Sequence, residues 1–341
     1  MTITIPLVAK DGAKHSLLVQ GPKIISSGGY NNLTNWPYTT NRPQFSGSTL
    51  TWIGPVYALG GSYVSGGHPS TANDTQQSLV LTSSGGITTS SDGQIIEGLN
   101  ISGTVSVQNN NVTIRKCRIT VSGQTAYAIS LGTLTISGLV VEDCLLDGGK
   151  ASYEGISNGG SGSVGNNLTV QRNTITGFEN LLTVWPWNNS TIVDNYMTQC
   201  GNSNNPSYDG DFIEFYTASN ITVSHNQFDV ANSQLNNVTL NSVLNLTTVG
   251  GNDTGISFNN NLISNANIMP HACIDGDISS GGTLSWSFTN NGFYNSGTTN
   301  GYSALTHNSV TAPNASPNSG NYTAATQTST SGTPINGNGQ V

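Results

Sequence analysis

The segment Tyr208–Tyr216, with the sequence YDGDFIEFY, concentrates side chains that could do chemistry. It places the carboxylates of Asp209, Asp211 and Glu214 among four aromatic rings, in a chain of which only 8% of the residues are charged. Two carboxyl groups can hydrolyse a glycosidic bond when one donates and the other accepts a proton, and aromatic rings offer flat faces for sugars. The same oxygens could bind Ca²⁺, or they could form the polar outer side of an ordinary strand.

The composition limits the classes of protein to which the chain can belong. It has 341 residues, a formal net charge of −8 and 9 Lys and Arg residues. Proteins that bind nucleic acid neutralise phosphates with basic clusters, and the sequence has one short cluster, RKCR at Arg115–Arg118. No apolar run approaches the roughly 18 residues of a membrane-spanning helix. We therefore expect neither nucleic acid binding nor membrane insertion.

The N-terminal segment and the cysteines bear on the compartment. The segment MTITIPLVAKDGAKH lacks the basic start, the long apolar run and the cleavage site of a signal peptide. We expect a protein made in the cytoplasm without an export signal. The four cysteines have no metal-ligand spacing and are expected to be reduced thiols: Cys117, Cys144, Cys200 and Cys273.

A nine-residue pattern recurs at intervals of 22 to 35 residues. Its copies are NVTIRKCRI from Asn111, GLVVEDCLL from Gly138, NLTVQRNTI from Asn167, NSTIVDNYM from Asn189, NITVSHNQF from Asn220, GISFNNNLI from Gly255 and SWSFTNNGF from Ser285. The fourth and ninth positions are always apolar, and the seventh is Cys in the first two copies and Asn afterwards. Such columns form when coils stack at a strand separation of about 4.8 Å. Stacked Asn amides then hydrogen-bond from rung to rung.

A second set of strands lies between these copies. It aligns on apolar residues 26 to 31 residues apart: Ile129, Ile156, Leu182, Ile213, Leu244, Ile274 and Leu305. The near-constant period predicts a solenoid, in which each repeat contacts only its neighbours.

The apolar columns and the Asn ladder resemble the right-handed parallel β-helix of the pectin-lyase-like superfamily, over about residues 95–308. That superfamily includes polysaccharide lyases, polygalacturonase-type hydrolases and phage tailspikes. The resemblance implies an all-β, single-stranded right-handed β-helix with an N-terminal cap and an extended C-terminal tail. The polygalacturonase motifs are absent, so no catalytic residue is carried over, and a fold does not determine a function.

The predicted coils place the opening segment on the outside of the stack. Because Ile213 faces inward, we expect Glu214 to point outward, with Asn245 and then Asp275 at the same place on the next two rungs. Two rungs correspond to about 9.6 Å between backbones. Inverting glycosidases separate their carboxyls by about 6.5–9.5 Å, so Glu214 and Asp275 are candidates for an acid and base pair, with Asp211 close by.

Further candidate residues surround this pair. Trp185, Trp187, Tyr216, Asp277 and His271 are candidates for contact with a glycan, although Trp185-Pro-Trp187 could equally be a packed corner. We expect His225, in the sixth repeat position, to lie on the surface. No cofactor is expected, and a Ca²⁺ site is the less favoured alternative for these acidic residues: Asp209, Asp211, Glu214, Asp275 and Asp277.

These observations predict three regions and two functions. Residues 1–90 would attach and cap, residues 91–308 would form the β-helix, and residues 309–341 would be a low-complexity tail. The leading hypothesis is a virion structural protein resembling bacteriophage decoration, fibre or tailspike proteins. It would be a homotrimer at the virion surface that contacts other virion proteins through residues 1–90 and host-surface polysaccharide through the β-helix. The alternative is a glycoside hydrolase, and a lyase is less favoured. A third possibility is a bacterial β-helix protein of unknown role with an unconventional export route.

Overall fold

A computed structural model describes residues 2–8, 14–20, 43–55, 74–132, 134–158, 164–201, 210–230, 240–247, 251–264, 274–277, 282–294, 318–319, 321–324 and 332–334. The chain divides into two compact units, Met1–Leu33 and Thr34–Val341. Every regular element in the described ranges is a β-strand, and no helix occurs among them. Accordingly, the described part of the chain holds no helix long and apolar enough to cross a membrane.

The strands follow one another closely along the chain. The first group is β1 (Thr2–Val8), β2 (Lys14–Gln20), β3 (Gln44–Ser46), β4 (Thr49–Pro55), β5 (Asp74–Val80), β6 (Thr82–Thr88), β7 (Ile95–Glu97), β8 (Leu99–Ser106), β9 (Thr113–Arg115), β10 (Arg118–Thr120), β11 (Tyr127–Ser130), β12 (Thr135–Ser137), β13 (Val140–Glu142), β14 (Leu145–Ser157), β15 (Val164–Asn166) and β16 (Thr169–Gln171). The second is β17 (Thr174–Val184), β18 (Trp187–Val193), β19 (Tyr196–Thr198), β20 (Gly210–Tyr216), β21 (Ser219–Ser224), β22 (Gln227–Asp229), β23 (Leu240–Thr247), β24 (Asp253–Asn259), β25 (Leu262–Ser264), β26 (Ile274–Asp277), β27 (Leu284–Thr289), β28 (Gly292–Tyr294), β29 (Asn318–Ser319), β30 (Tyr322–Ala324) and β31 (Gly332–Pro334).

Two small antiparallel sheets precede the main body of the fold. In the first unit β1 pairs with β2. In the second unit β3, β4 and β5 form a three-stranded sheet whose Leu50 and Trp52 pack with Leu81. This sheet lies against the side of the following strands, because the Arg118 guanidinium stacks 4.4 Å from the centroid of the Phe45 ring. Its contacts therefore reach the flank of the stack.

Two large parallel sheets confirm the repeat columns. In the 11-stranded sheet the fourth-position residues pair in register: Ile114, Val141, Val170, Ile192, Val223, Phe258 and Phe288. In the 15-stranded sheet the ninth-position residues do the same: Ile119, Leu146, Ile175, Met197, Phe228, Ile263 and Phe293. The second set also pairs as predicted: Ile129, Ile156, Leu182, Ile213, Leu244 and Ile274. Leu305 lies outside the described residues.

The parallel pairing continues on both sides of residues 91–308. Strand β6, within the predicted cap, pairs in parallel with β8. Strands β29 and β30, within the predicted tail, pair in parallel with β27 and β28. The fold is thus all-β with long parallel sheets, an architecture compatible with a parallel β-helix.

The predicted Asn ladder is present and is fully buried between the two sheets. In each step the amide oxygen of one Asn accepts hydrogen bonds from the backbone N–H and the side chain of the Asn on the preceding rung. Asn195 donates to Asn226 Oδ1 in this way, with both distances 2.9 Å. The steps join Asn173, Asn195, Asn226, Asn261, Asn291 and Asn321. At the start of the ladder Cys144 donates its backbone N–H to Asn173 Oδ1 over 3.0 Å.

The sixth repeat position corrects one expectation. All seven residues there have a left-handed backbone, with φ between 51° and 59°: Lys116, Asp143, Arg172, Asp194, His225, Asn260 and Asn290. This corner stacks oppositely charged side chains, so the Arg172 Nε contacts Asp143 Oδ1 at 2.8 Å. His225 is buried rather than on the surface, because its Nδ1 contacts Asp194 on the preceding rung.

Candidate functional site

Most of the opening segment lies on β20, and polar side chains of β14 and β17 lie beside it. In the pairing of β14 with β17, Glu154 lies next to Asn180. The next rung places Asp211 beside Asn180, because the Asp211 backbone N–H donates to Asn180 Oδ1 over 2.9 Å. Glu214 is the other carboxylate of β20 in the described residues, and Trp185 and Tyr216 flank it. We call Glu154, Asn180, Trp185, Asp211, Glu214 and Tyr216 the acidic-aromatic wall.

Glu214 is partly buried and held at both carboxyl oxygens. Asn180 Nδ2 donates to its Oε2 over 2.8 Å, and the Tyr216 hydroxyl contacts its Oε1. Burial raises the pKa of Glu214 to about 8, and the negative charge of Asp211 adds to the shift. Glu214 is therefore more buried than a carboxylate on the solvated outer side of a strand would be. At pH 7 this carboxyl group carries a proton.

Asp211 is almost completely buried and is held by the following rung. Its Oδ1 accepts from Ser242 Oγ over 2.6 Å, and its Oδ2 accepts from Asn245 Nδ2 over 3.1 Å. Asn245 pairs with Glu214 in register, so the amide that holds Asp211 lies one rung beyond Glu214. These two bonds orient Asp211 and keep its charge close to Glu214.

An aromatic pair forms the exposed edge of the wall. The rings of Trp185 and Tyr216 stack with centroids 4.2 Å apart and planes 18° apart. The backbone N–H of Trp185 donates to Asn158 Oδ1 over 2.8 Å, which fixes the corner that carries the indole. Both rings are partly exposed, so the pair offers a flat apolar surface beside the polar groups of Glu214 and Asn180.

Trp187 is not part of this surface. Its side chain is fully buried in the apolar core, and it opens strand β18 next to Gly165 of β15. Trp187 faces the core from the first position of β18, whereas Trp185 lies in the corner between β17 and β18 and is partly exposed. The structure therefore separates the two tryptophans that were grouped as glycan contacts.

Two functional candidates were missed in the sequence. Glu154 and Asn180 each lie two residues before a core residue of the second strand set, Ile156 or Leu182, as Asp211 does before Ile213. Comparing that column across the rungs could have found them. Burial raises the pKa of Glu154, although the Ser157 hydroxyl opposes the shift.

The remaining candidates lie at the margin of the described structure. Asp275 pairs in register with Asn245, and Asn245 with Glu214, which confirms the expected two-rung relation between the backbones of Glu214 and Asp275. Asp277 pairs with Thr247 in the same way. Asp209 and His271 lie outside the described residues. No group of three or more His, Cys, Asp or Glu side chains in the described part of the chain is arranged to hold a metal ion.

Comparison with protein-family models, with curated proteins and with solved structures gave no match to this chain. The chemistry of the wall must therefore be inferred from its own residues. It combines a proton-carrying carboxyl group, a buried carboxylate and a stacked aromatic surface. Such a set can bind hydroxyl-rich ligands and can donate a proton to them.

Proposed function

We propose that this chain is a right-handed parallel β-helix protein of the bacteriophage virion, a capsid decoration, fibre or tailspike-like component. Its acidic-aromatic wall binds a host-surface polysaccharide. The stacked Trp185 and Tyr216 pair beside the hydrogen-bonded Glu214 carries this proposal. Sugar rings have apolar faces that pack on aromatic rings, and their hydroxyl groups bind carboxyl and amide groups at the rim.

The particle setting is supported by the architecture. Stacked parallel strands leave few unpaired edges, which favours survival outside a cell. Residues 1–90 would contact other virion proteins, and three copies would associate as in tailspikes. Mass spectrometry of purified particles checks the location, and sedimentation of the full chain checks the homotrimer.

Replacing Trp185 with Ala is expected to weaken glycan binding about tenfold, since loss of a stacked aromatic contact costs about 1.4 kcal/mol. Affinity electrophoresis against a panel of bacterial surface polysaccharides measures the effect. Thr222→Ala, on the outer side of the 11-stranded sheet, is the control and should bind like the wild type. Retention of full affinity by Trp185→Ala, or no binding of the wild type to any panel glycan, contradicts the proposal.

A glycoside hydrolase is the second candidate, and the raised pKa of Glu214 favours it. A general acid must hold its proton at the working pH, as Glu214 does at pH 7. The second carboxyl would be Asp211 beside it or Asp275 two rungs on. If the wild type releases reducing ends from a panel polysaccharide, Glu214→Gln should lower the rate at least about 100-fold, because the amide cannot protonate the leaving group. Binding without release by the wild type would reject this candidate.

A further inference from the structure

The proton on Glu214 has a defined position, which Asn180 determines. The backbone N–H of Asp211 can only donate, so the Asn180 atom 2.9 Å away is the amide oxygen. The other end of that amide is therefore the NH₂ group, and it donates to Glu214 Oε2 over 2.8 Å. Because Oε2 is engaged as an acceptor, a protonated Glu214 carries its hydrogen on Oε1, which faces the Tyr216 hydroxyl.

The protonation state of Glu214 then decides where the Tyr216 hydroxyl points. When Glu214 is protonated, Oε1–H donates to the Tyr216 oxygen, and the phenolic hydrogen is free to donate away from the wall. When Glu214 is ionised, both of its oxygens are acceptors, and the phenolic hydrogen turns inward to Oε1. The pKa of Tyr216 is raised, first by burial and then by the charge of Glu214, so the phenol keeps its own hydrogen in both states.

We infer that the Tyr216 hydroxyl is a donor to bound glycan that is available only while Glu214 is protonated, and that the site takes neutral rather than uronic acid polysaccharides. This inference rests on the proposed function and names its ligand class. A neutral sugar packed against the stacked pair of Trp185 and Tyr216 offers hydroxyl and ring oxygens as acceptors for that hydrogen. Asn180 acts as a positioning residue.

The surroundings of Glu214 disfavour an anionic ligand. Negative charges reach it from its own strand and from two preceding strands: Asp211 on β20, Glu179 on β17 and Glu154 on β14 all raise its pKa. Tyr153 on β14 faces the same group, and its own pKa is raised by burial and by these carboxylates. On the following rung Asn245 faces Asp211, and Asp275 follows in register. A uronate would add one more carboxylate to this set.

The expected pH dependence follows from the two states. The pKa of Glu214 is about 8, so the outward donor is present at pH 7 and is lost as the pH rises past 8. Affinity for a neutral glycan should fall about fivefold to tenfold between pH 7 and pH 9.5, the usual effect of one hydrogen bond.

Two variants test this mechanism with defined probes: dextran, cellohexaose, N-acetylchitohexaose and hexagalacturonate. Glu214→Gln keeps a donor toward Tyr216 at every pH, because the Gln oxygen accepts from Asn180 and its NH₂ group donates to the phenol. It should bind neutral probes at pH 9.5 as tightly as at pH 7. Tyr216→Phe keeps the stacked ring without the hydroxyl. It should bind at both pH values with the reduced affinity that the wild type shows at pH 9.5.

Titration of Glu214 tests the control of the Tyr216 hydroxyl by protonation without any glycan. Carbon-13 NMR should find its carboxyl titrating near pH 8, and Asn180→Ala should move that midpoint upward, because the lost donor stabilised the ionised form. A midpoint near pH 4.5, a wild-type pH profile in Glu214→Gln, or tighter binding of hexagalacturonate than of every neutral probe would overturn the inference. If the neutral probes bind without pH dependence, the inference fails and the proposed function stands. If neither these probes nor the surface polysaccharides bind, both fail.

Discussion

Replacing Asn226 with Ala is expected to lower the free energy of unfolding by about 4 kcal/mol. The side chain is fully buried and bonded on both sides. Its Oδ1 accepts from the N–H and the side chain of Asn195, and its Nδ2 donates to the carbonyls of Ile192 and Ser224 and to Asn261 Oδ1. Alanine removes all of these bonds and leaves the buried backbone N–H of Asn195 without its acceptor, and an unsatisfied buried group costs about 1–3 kcal/mol.

Urea denaturation at pH 7, followed by circular dichroism, measures this loss. Asn259→Ala is the matched control, since Asn259 lies on the outer side of β24 and bonds Ser257 and Asn260 near the surface. Its cost should stay below about 1 kcal/mol. If both substitutions lower the free energy of unfolding by the same small amount, the ladder contributes no more to stability than surface amides do.

The second large effect concerns pH and Asp253, which is fully buried in strand β24. Its Oδ1 accepts from the backbone N–H of Ala218 over 2.6 Å, and its Oδ2 has no hydrogen-bond partner among the described residues. Burial raises the pKa of this carboxyl from 3.8 to about 7. The folded protein therefore binds this proton more tightly than the unfolded chain does.

The stability that the proton contributes is complete below pH 4 and is lost as the pH rises to about 7, a total of about 4 kcal/mol. Asp253→Asn removes this dependence. Relative to the wild type, the variant should gain about 3 kcal/mol in the free energy of unfolding between pH 5 and pH 8.

Urea denaturation of both proteins at several pH values tests this expectation. In both proteins the free energy of unfolding still varies with pH, because other buried carboxyls such as Glu154 and Asp143 also have raised pKa values. The difference between the two curves therefore isolates Asp253. Asp92→Asn, in an exposed turn, is the control for the loss of one charge. Parallel curves for the wild type and Asp253→Asn would contradict a titration of Asp253 near pH 7.

The acidic-aromatic wall shows why the site was only partly predictable. Glu214, Asp211, Tyr216 and Trp185 were identified because acidic and aromatic residues cluster in a chain with little charge. Asn180 was missed because its role depends on a neighbour 34 residues away, Glu214, to which it donates a hydrogen bond. Distance along the chain hides such contacts unless the rungs are aligned column by column.

The sequence alone determined the columns that build this protein. Inward residues such as Ile114, Ile156 and Asn226 must repeat in type, because a stacked coil places each one on its equivalent about 4.8 Å away in the same interior. Periodicity therefore predicted their register, and the structure confirms it.

Only the tertiary structure decided which outward residues meet and which are buried. Register shifts between Asp147 and Ser152 and between Gly210 and Asp211 displace outward side chains along their strands. Trp187 faces the core from the start of β18, and His225 is buried against Asp194 of the preceding rung. Outward side chains are not constrained to match the rung below, so their contacts depend on bulges and corners rather than on the repeat.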